Sequence, residues 1–236
     1  MDCTVSDIAR MIDHSLLQPS MTVEQLDEGI GLARQYHVAS VCVVPCYLRR
    51  CAELLEGSDV LPSTVIGFPH GSNTTTVKVA EAQEALEDGG RELDMVANIS
   101  RVLSGDWRTV RNEIHALVDL THDRGGRLKV IFENCYLRDD HKIRLCEICG
   151  ALGVDWVKTS TGFGPGGATV EDVRLMRAHC PPEVQVKAAG GIRTLDMALL
   201  LREAGASRLG CSKTAEVLDE CRRRSEAVQE RPAIKA

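Results

Sequence analysis

Two lysines stand in surroundings where lysine is uncommon. Lys158 closes the apolar run "LGVDWVK" and is followed at once by Thr159, Ser160, Thr161 and Gly162, and Lys187 sits inside "EVQVKAAGG". Ammonium groups are seldom fully buried without a partner, and snorkelling to a surface accounts for one strand-end lysine more readily than for two. Such a pair suits an amine nucleophile. An ordinary lysine, with a pKa of ~10.4, is almost wholly protonated at neutral pH, and lowering it to near 7 requires destabilising the ammonium by more than about 4 kcal/mol. Desolvation and a neighbouring cation both act in that direction. One lysine can then form a Schiff base while the other activates it, with a carboxylate such as Asp94, in "RELDMVA", moving protons between intermediates. Asp13, in "MIDHSLL", is a second acidic candidate, and Glu133, in "RLKVIFE", reads as a loop or cap carboxylate.

These residues fall late in short runs rich in apolar and β-branched residues. Eight such runs recur, at 11–17, 38–45, 63–69, 91–97, 127–133, 154–160, 183–190 and 207–212, and most are separated by segments with helical spacing. Thr22 with Gln25, and Thr169 with Asp172, have capping-box spacing, while Gly89, Gly125, Gly153 and Gly205 stand where helices stop. Strands alternating with helices require parallel pairing with helical crossovers. An open doubly wound sheet satisfies that pattern, but eight units in 236 residues favour a closed (β/α)₈ TIM barrel forming one domain over residues 1–236. In such a barrel the catalytic groups gather where strands end, which brings Asp13, Asp94, Lys158 and Lys187 to one mouth. From about Arg222 to Ala236 the chain is charged, and a frayed helix or disordered tail is expected.

The glycines supply the rest of a site. "AAGGIRT" follows the seventh strand and "LGCSKTAEVL" spans the eighth and the helix after it, where barrels commonly cradle a phosphate in backbone N–H groups and a helix N-terminus. Gly190, Gly191, Gly210 and Ser212 are the expected cradle, with Arg193 and Lys213 as accompanying cations.

Composition narrows the function classes. The chain is 44% hydrophobic and 26% charged with a net charge of −6, so no global basic field favours nucleic acid or an anionic membrane. No apolar run approaches the ~18 residues of a membrane span. The acidic start "MDCTVSDIARMIDH" is unlike a signal peptide, and a cytoplasmic location is expected. The ten cysteines are scattered, and the C-x-x-C at Cys146–Cys149 lies in a helical pattern without a second pair, so it reads as a helix face rather than a zinc or redox site. The seven histidines show no H-x-H or H-E-x-x-H pattern, so no metal or other cofactor is expected.

The segments "IDHSLLQP", "GFPHGSNTT", "ELDMVANI", "LKVIFENC", "VKTSTGFGPGGATVEDVRLMR" and "VKAAGGIRT" resemble, in order, the signature segments of the deoxyribose-phosphate aldolase family, from Ile12 to about Ser212. The resemblance implies a metal-independent class I aldolase on a (β/α)₈ barrel that reversibly cleaves 2-deoxy-D-ribose 5-phosphate into D-glyceraldehyde 3-phosphate and acetaldehyde in deoxynucleoside catabolism. It implies Lys158 as the Schiff-base lysine, Lys187 as the second lysine, Asp94 as proton donor and acceptor, and Asp13 as a partner in the Asp94–Lys187 network. It further implies that Gly162, Gly190, Gly191, Gly210 and Ser212 face the phosphate, that Cys42 lines the pocket, and that the protein is a homodimer or larger.

Three positions depart from the family pattern. Gly210-Cys211-Ser212-Lys213 stands where the family often has G-T-S-S, and Val44-Pro45-Cys46-Tyr47 where it has N-P-x-Y. Some members end in a tyrosine that assists proton transfer, whereas this chain has none after Tyr136. These changes bear on substrate preference and rate rather than on imine chemistry. Two other classes share the glycine cradle: a barrel isomerase or epimerase, which needs an acid/base pair rather than two lysines, and a non-catalytic sugar-phosphate binder, which has no use for the nucleophile.

Overall fold

The strand runs fold as their period of two dictates, one set of side chains facing inward and the next outward. In this computed structural model, which describes residues 4–229, the strands are β1 (Ile12–Leu16), β2 (Ser40–Val43), β3 (Leu61–Ile66), β4 (Glu92–Val96), β5 (Arg127–Ile131), β6 (Trp156–Lys158), β7 (Gln185–Ala189) and β8 (Arg208–Cys211). Each pairs in parallel with the next, and β8 pairs with β1 to close an eight-stranded barrel. The open-sheet alternative is thereby excluded.

The helices are α1 (Val5–Ala9), α2 (Val23–Gln35), α3 (Leu48–Leu54), α4 (Thr75–Glu87), α5 (Ile99–Leu103), α6 (Trp107–Asp123), α7 (Asp139–Leu152), α8 (Val170–His179), α9 (Leu195–Glu203) and α10 (Thr214–Gln229). The Thr22–Gln25 box is complete in both directions at the start of α2, and Thr169 caps α8 by accepting from the Asp172 amide. At the other end of α7, Gly153 takes the left-handed conformation of a helix stop. Three short helices lie outside the strong periodic segments: α1, α3 and α5 each bury only one or two side chains, too few to write a recognisable stripe. Among the described residues no helix is long and apolar enough to cross a membrane.

The charged end expected from about Arg222 begins inside a helix. Helix α10 continues to Gln229, with Arg224 bonded to both Glu220 and Asp196; residues 230–236 lie outside the described residues.

Outward-facing strand residues such as Leu93, Met95, Leu128, Val130, Val157, Val186 and Leu209 join the helices in one apolar core. The inward face is different. Barrel interiors of this kind are usually filled by branched apolar side chains, yet here Asp13, Glu92, Asp94, Lys129, Lys158, Lys187 and Arg208 are all buried. Trp156 packs against this charged layer, its ring 5.2 Å from the Arg208 guanidinium and 5.5 Å from Lys129 Nζ.

Candidate active site

Register brings the chemistry together. Lys158 on β6 lies opposite Lys187 on β7, Lys187 opposite Arg208 on β8, and Asp94 on β4 opposite Lys129 on β5. Asp94 is the hub: its Oδ2 accepts from Lys158 Nζ and Lys187 Nζ, each at 2.7 Å, and its Oδ1 accepts from Lys129 Nζ at 2.9 Å. Asp13 Oδ1 accepts from Ser40 Oγ at 2.7 Å and from Arg208, while its Oδ2 forms an ion pair with Lys187 without the angle of a hydrogen bond. Glu92 accepts from Lys129 at 2.6 Å and from both terminal nitrogens of Arg208.

The network therefore holds three carboxylates against four cations. Buried charges persist only when paired, so one cation lacks a full partner, and geometry decides which. Lys187 touches both Asp13 and Asp94. Burial alone would lower its pKa, but these two carboxylates outweigh burial and raise it. Lys158 has Asp94 alone, which it shares with Lys187. Burial is the main cause holding its pKa below the ordinary lysine value, and the Lys187 charge adds to it. Lys158 is thus the amine most ready to lose its proton. The Asp94 and Asp13 carboxyls go the other way: burial would raise them, but the surrounding cations hold both well below the usual carboxylate range.

Lys158 is also the lysine that reaches the open cleft. It lines a cavity of about 360 Å³ together with Gly162, Gly190, Gly191, Gly210, Ser212 and Arg193. Gly190 and Gly191 have φ of 88° and 80°, conformations that glycine adopts freely. Gly190 must in addition lack a side chain, because a Cβ there would sit 2.9 Å from Gly167 Cα. The loop after Lys158 is braced from β5. The Glu133 carboxylate accepts from the Thr161 amide at 3.2 Å and from its hydroxyl, while Glu133 itself holds a φ of 57°.

Not every expected residue opens on the cleft. Cys42 is buried beside Leu17 and Val65, close enough to Asp94, Lys187 and Lys158 for their charges to act on its thiol, whose pKa burial raises. Lys213 is paired with Glu216 at 2.8 Å outside the cleft. Cys146 and Cys149 lie buried on α7, Cys146 Sγ against the Met176 carbonyl of α8. Among the described residues no three His, Cys, Asp or Glu side chains are grouped to hold a metal ion. Sequence reasoning missed Glu92, Lys129 and Arg208. For Glu92 the signal was present as its two-residue spacing from Asp94, which places both on one strand face.

Comparison with known proteins decides the family. Residues 1–213 match the family model described as DeoC/LacD family aldolase. The chain belongs to this aldolase family. It is 60% identical over 222 residues to the deoxyribose-phosphate aldolase of Rhodopirellula baltica, covering 94% of this chain and 92% of that one. It is 49% identical to the enzyme of that name from Thermococcus gammatolerans, covering 92% and 97%. Among solved structures, the tetrameric deoxyribose phosphate aldolase of Aeropyrum pernix superposes with a TM-score of 0.85 at 33% identity, covering 93% of this chain and 92% of that one. In this chain Lys158 closes β6 and the glycine loops follow β7 and β8, at the barrel end where barrel enzymes carry out their chemistry.

Proposed function

We propose that the protein is a class I aldolase that reversibly cleaves 2-deoxy-D-ribose 5-phosphate to D-glyceraldehyde 3-phosphate and acetaldehyde through an imine on Lys158. The observation that carries this reading is the placing of Lys158, which shares the Asp94 carboxylate with Lys187, in a cleft lined by the glycine cradle. Unprotonated Lys158 Nζ attacks C1 of the open-chain sugar, and loss of water gives the imine. Removal of the C3 hydroxyl proton breaks C2–C3, releasing glyceraldehyde 3-phosphate and leaving the two-carbon enamine on Lys158. Protonation at C2 and hydrolysis release acetaldehyde and restore the amine. Asp94 is the group for these proton transfers, acting directly or through water, because it contacts Lys158 and Lys187 at once. Lys187 is its proton partner and the cation that keeps Lys158 reactive, and Asp13 holds Lys187 from the opposite side.

In this reading Gly162, Gly190, Gly191, Gly210 and Ser212 receive the phosphate, with Arg193 at the exposed rim. The chemistry needs no metal, the enzyme works in the cytoplasm on deoxynucleoside-derived sugar phosphate, and it assembles as a homo-oligomer.

The test is borohydride trapping with acetaldehyde or 2-deoxyribose 5-phosphate, followed by intact mass and peptide mapping. A covalent adduct on Lys158 that is lost in Lys158→Ala is expected. No adduct with either compound on folded protein would overturn the proposal.

A further inference from the structure

Resting on that reading of the cleft, we infer that His14 is a direct ligand of the substrate's phosphate, its Nε2–H completing the anion site formed by the glycine loops and the N-terminus of α10.

Asp13 faces the barrel interior, so His14, the next residue of β1, faces the other way. Its register partner is Cys211, at the end of β8. The imidazole therefore lies beneath the connection from β8 to α10, and its Nδ1 is 2.8 Å from Thr214 Oγ1, in the first residue of α10. The residue is only 5% exposed, yet it lines the cleft beside Gly190, Gly191, Gly210 and Ser212. Among the described residues no group bonds Nε2, and Nε2 is not among the sealed polar atoms. A buried ring with one nitrogen fixed and the other open to a cavity has a hydrogen-bonding position left to fill on the cavity side.

Charge and tautomer identify that ligand. Burial lowers the His14 pKa to about 4, so the ring is neutral and carries one N–H. When the Thr214 hydroxyl donates to Nδ1, that proton resides on Nε2 and points into the cleft. The reverse tautomer would present a lone pair to an anion, so a phosphate selects the first. The opening amides of α10 point to the same ligand: the first intrahelical bond runs from Val217 N to Lys213 O, and the amides before it have no helical acceptor. A 16-residue helix adds its positive end. Glu216, the acid of this first turn, is paired with Lys213 at 2.8 Å.

The experiment compares His14→Asn and His14→Gln with the wild type, on 2-deoxyribose 5-phosphate and on unphosphorylated 2-deoxyribose. An asparagine amide reaches the Nδ1 position and loses the Nε2 donor, whereas a glutamine amide reaches the Nε2 position. His14→Asn is expected to raise KM for the phosphorylated sugar about tenfold more than KM for the unphosphorylated one, as loss of a charge-assisted bond requires, and His14→Gln to recover most of that difference. Equal effects on both sugars, or a glutamine variant no better than the asparagine one, would overturn the inference.

Should wild type cleave neither sugar, the aldolase reading falls while the anion site is still tested with inorganic phosphate. Long-range ¹H–¹⁵N spectra of the wild type are expected to show the His14 Nε2 resonance moving on phosphate addition, with binding about tenfold weaker in His14→Asn. A His14 ring unaffected by phosphate would refute the contact.

Discussion

Lys158 and Lys187 are register partners on adjacent strands and donate to the same oxygen of Asp94, each at 2.7 Å. They differ only in what else they touch. Of the two, Lys187 alone meets the Asp13 carboxylate, which helps to raise its pKa while burial lowers that of Lys158.

Removing that cation should therefore impair the nucleophile. In Lys187→Met the like charge that helps to lower the Lys158 pKa is gone, so the Lys158 pKa rises and the fraction of free amine at neutral pH falls. The expected result is a drop in kcat of at least about 100-fold, with the rate of borohydride trapping shifting to higher pH. A trapping profile that stays in place while kcat falls would assign Lys187 to proton transfer alone.

Asp94→Asn should weaken the fold as well as the chemistry. It removes the one carboxylate common to three lysines, and breaking such a buried group typically costs about 3–5 kcal/mol, a fall in Tm of roughly 10 °C for a chain of this size. Calorimetry of wild type and variant checks this.

The acid limb of stability carries a second signature. The Asp13 and Asp94 carboxyls have folded pKa values below their unfolded ones. A depressed carboxyl contributes its stability in full above the unfolded value, ~3.9 for Asp, and loses it as pH falls towards the folded one. These two groups should hold stability level from neutrality down to about pH 4 and give it up only below. Urea unfolding across that range should show a shallower acid limb in Asp94→Asn than in wild type.

The two adjacent glycines of the cradle should respond unequally to alanine. At Gly190 a methyl group meets both a positive φ and the Gly167 backbone at 2.9 Å, whereas at Gly191 it meets the positive φ and open space. Gly191→Ala is expected to lower stability by about 1 kcal/mol through backbone strain alone. Gly190→Ala should lower it further and raise KM for the phosphorylated substrate about tenfold or more, as thermal melts and steady-state kinetics would show.

Glu133→Gln tests how the loop after Lys158 is held. Gln keeps the shape of the side chain but weakens acceptance from the Thr161 amide and hydroxyl, so the loop should loosen with no change at the lysines. The expected outcome is a fall in kcat of about tenfold with imine trapping on Lys158 retained. Loss of trapping would instead make Glu133 part of the nucleophile's own environment.

Much of this was legible in one dimension. Strand and helix periods, threonine caps and terminal glycines specify alternating elements because they act within a few residues of chain. Lys158, Lys187 and Asp94 stood out because each breaks an apolar pattern that local rules would otherwise complete. Glu92 and Arg208 open their strands and Lys129 lies level with Asp94, and only barrel closure shows that the three supply the remaining charges of one buried network. Helices α1, α3 and α5 were hard to read because their stability comes from neighbours rather than from their own short stripes.

The sequence by itself determined the kind of fold and the kind of chemistry, since both follow from residue types at short spacing. The opposite pKa shifts of Lys158 and Lys187, the contact of His14 with Thr214 and the pairing of Lys213 with Glu216 were decided only by tertiary structure. The reason is physical: a pKa or an open valence depends on charges and atoms within a few ångströms. In a closed parallel barrel those belong to strands many residues apart, as with Asp13 and Arg208, which sequence places 195 positions from one another and the fold places in contact.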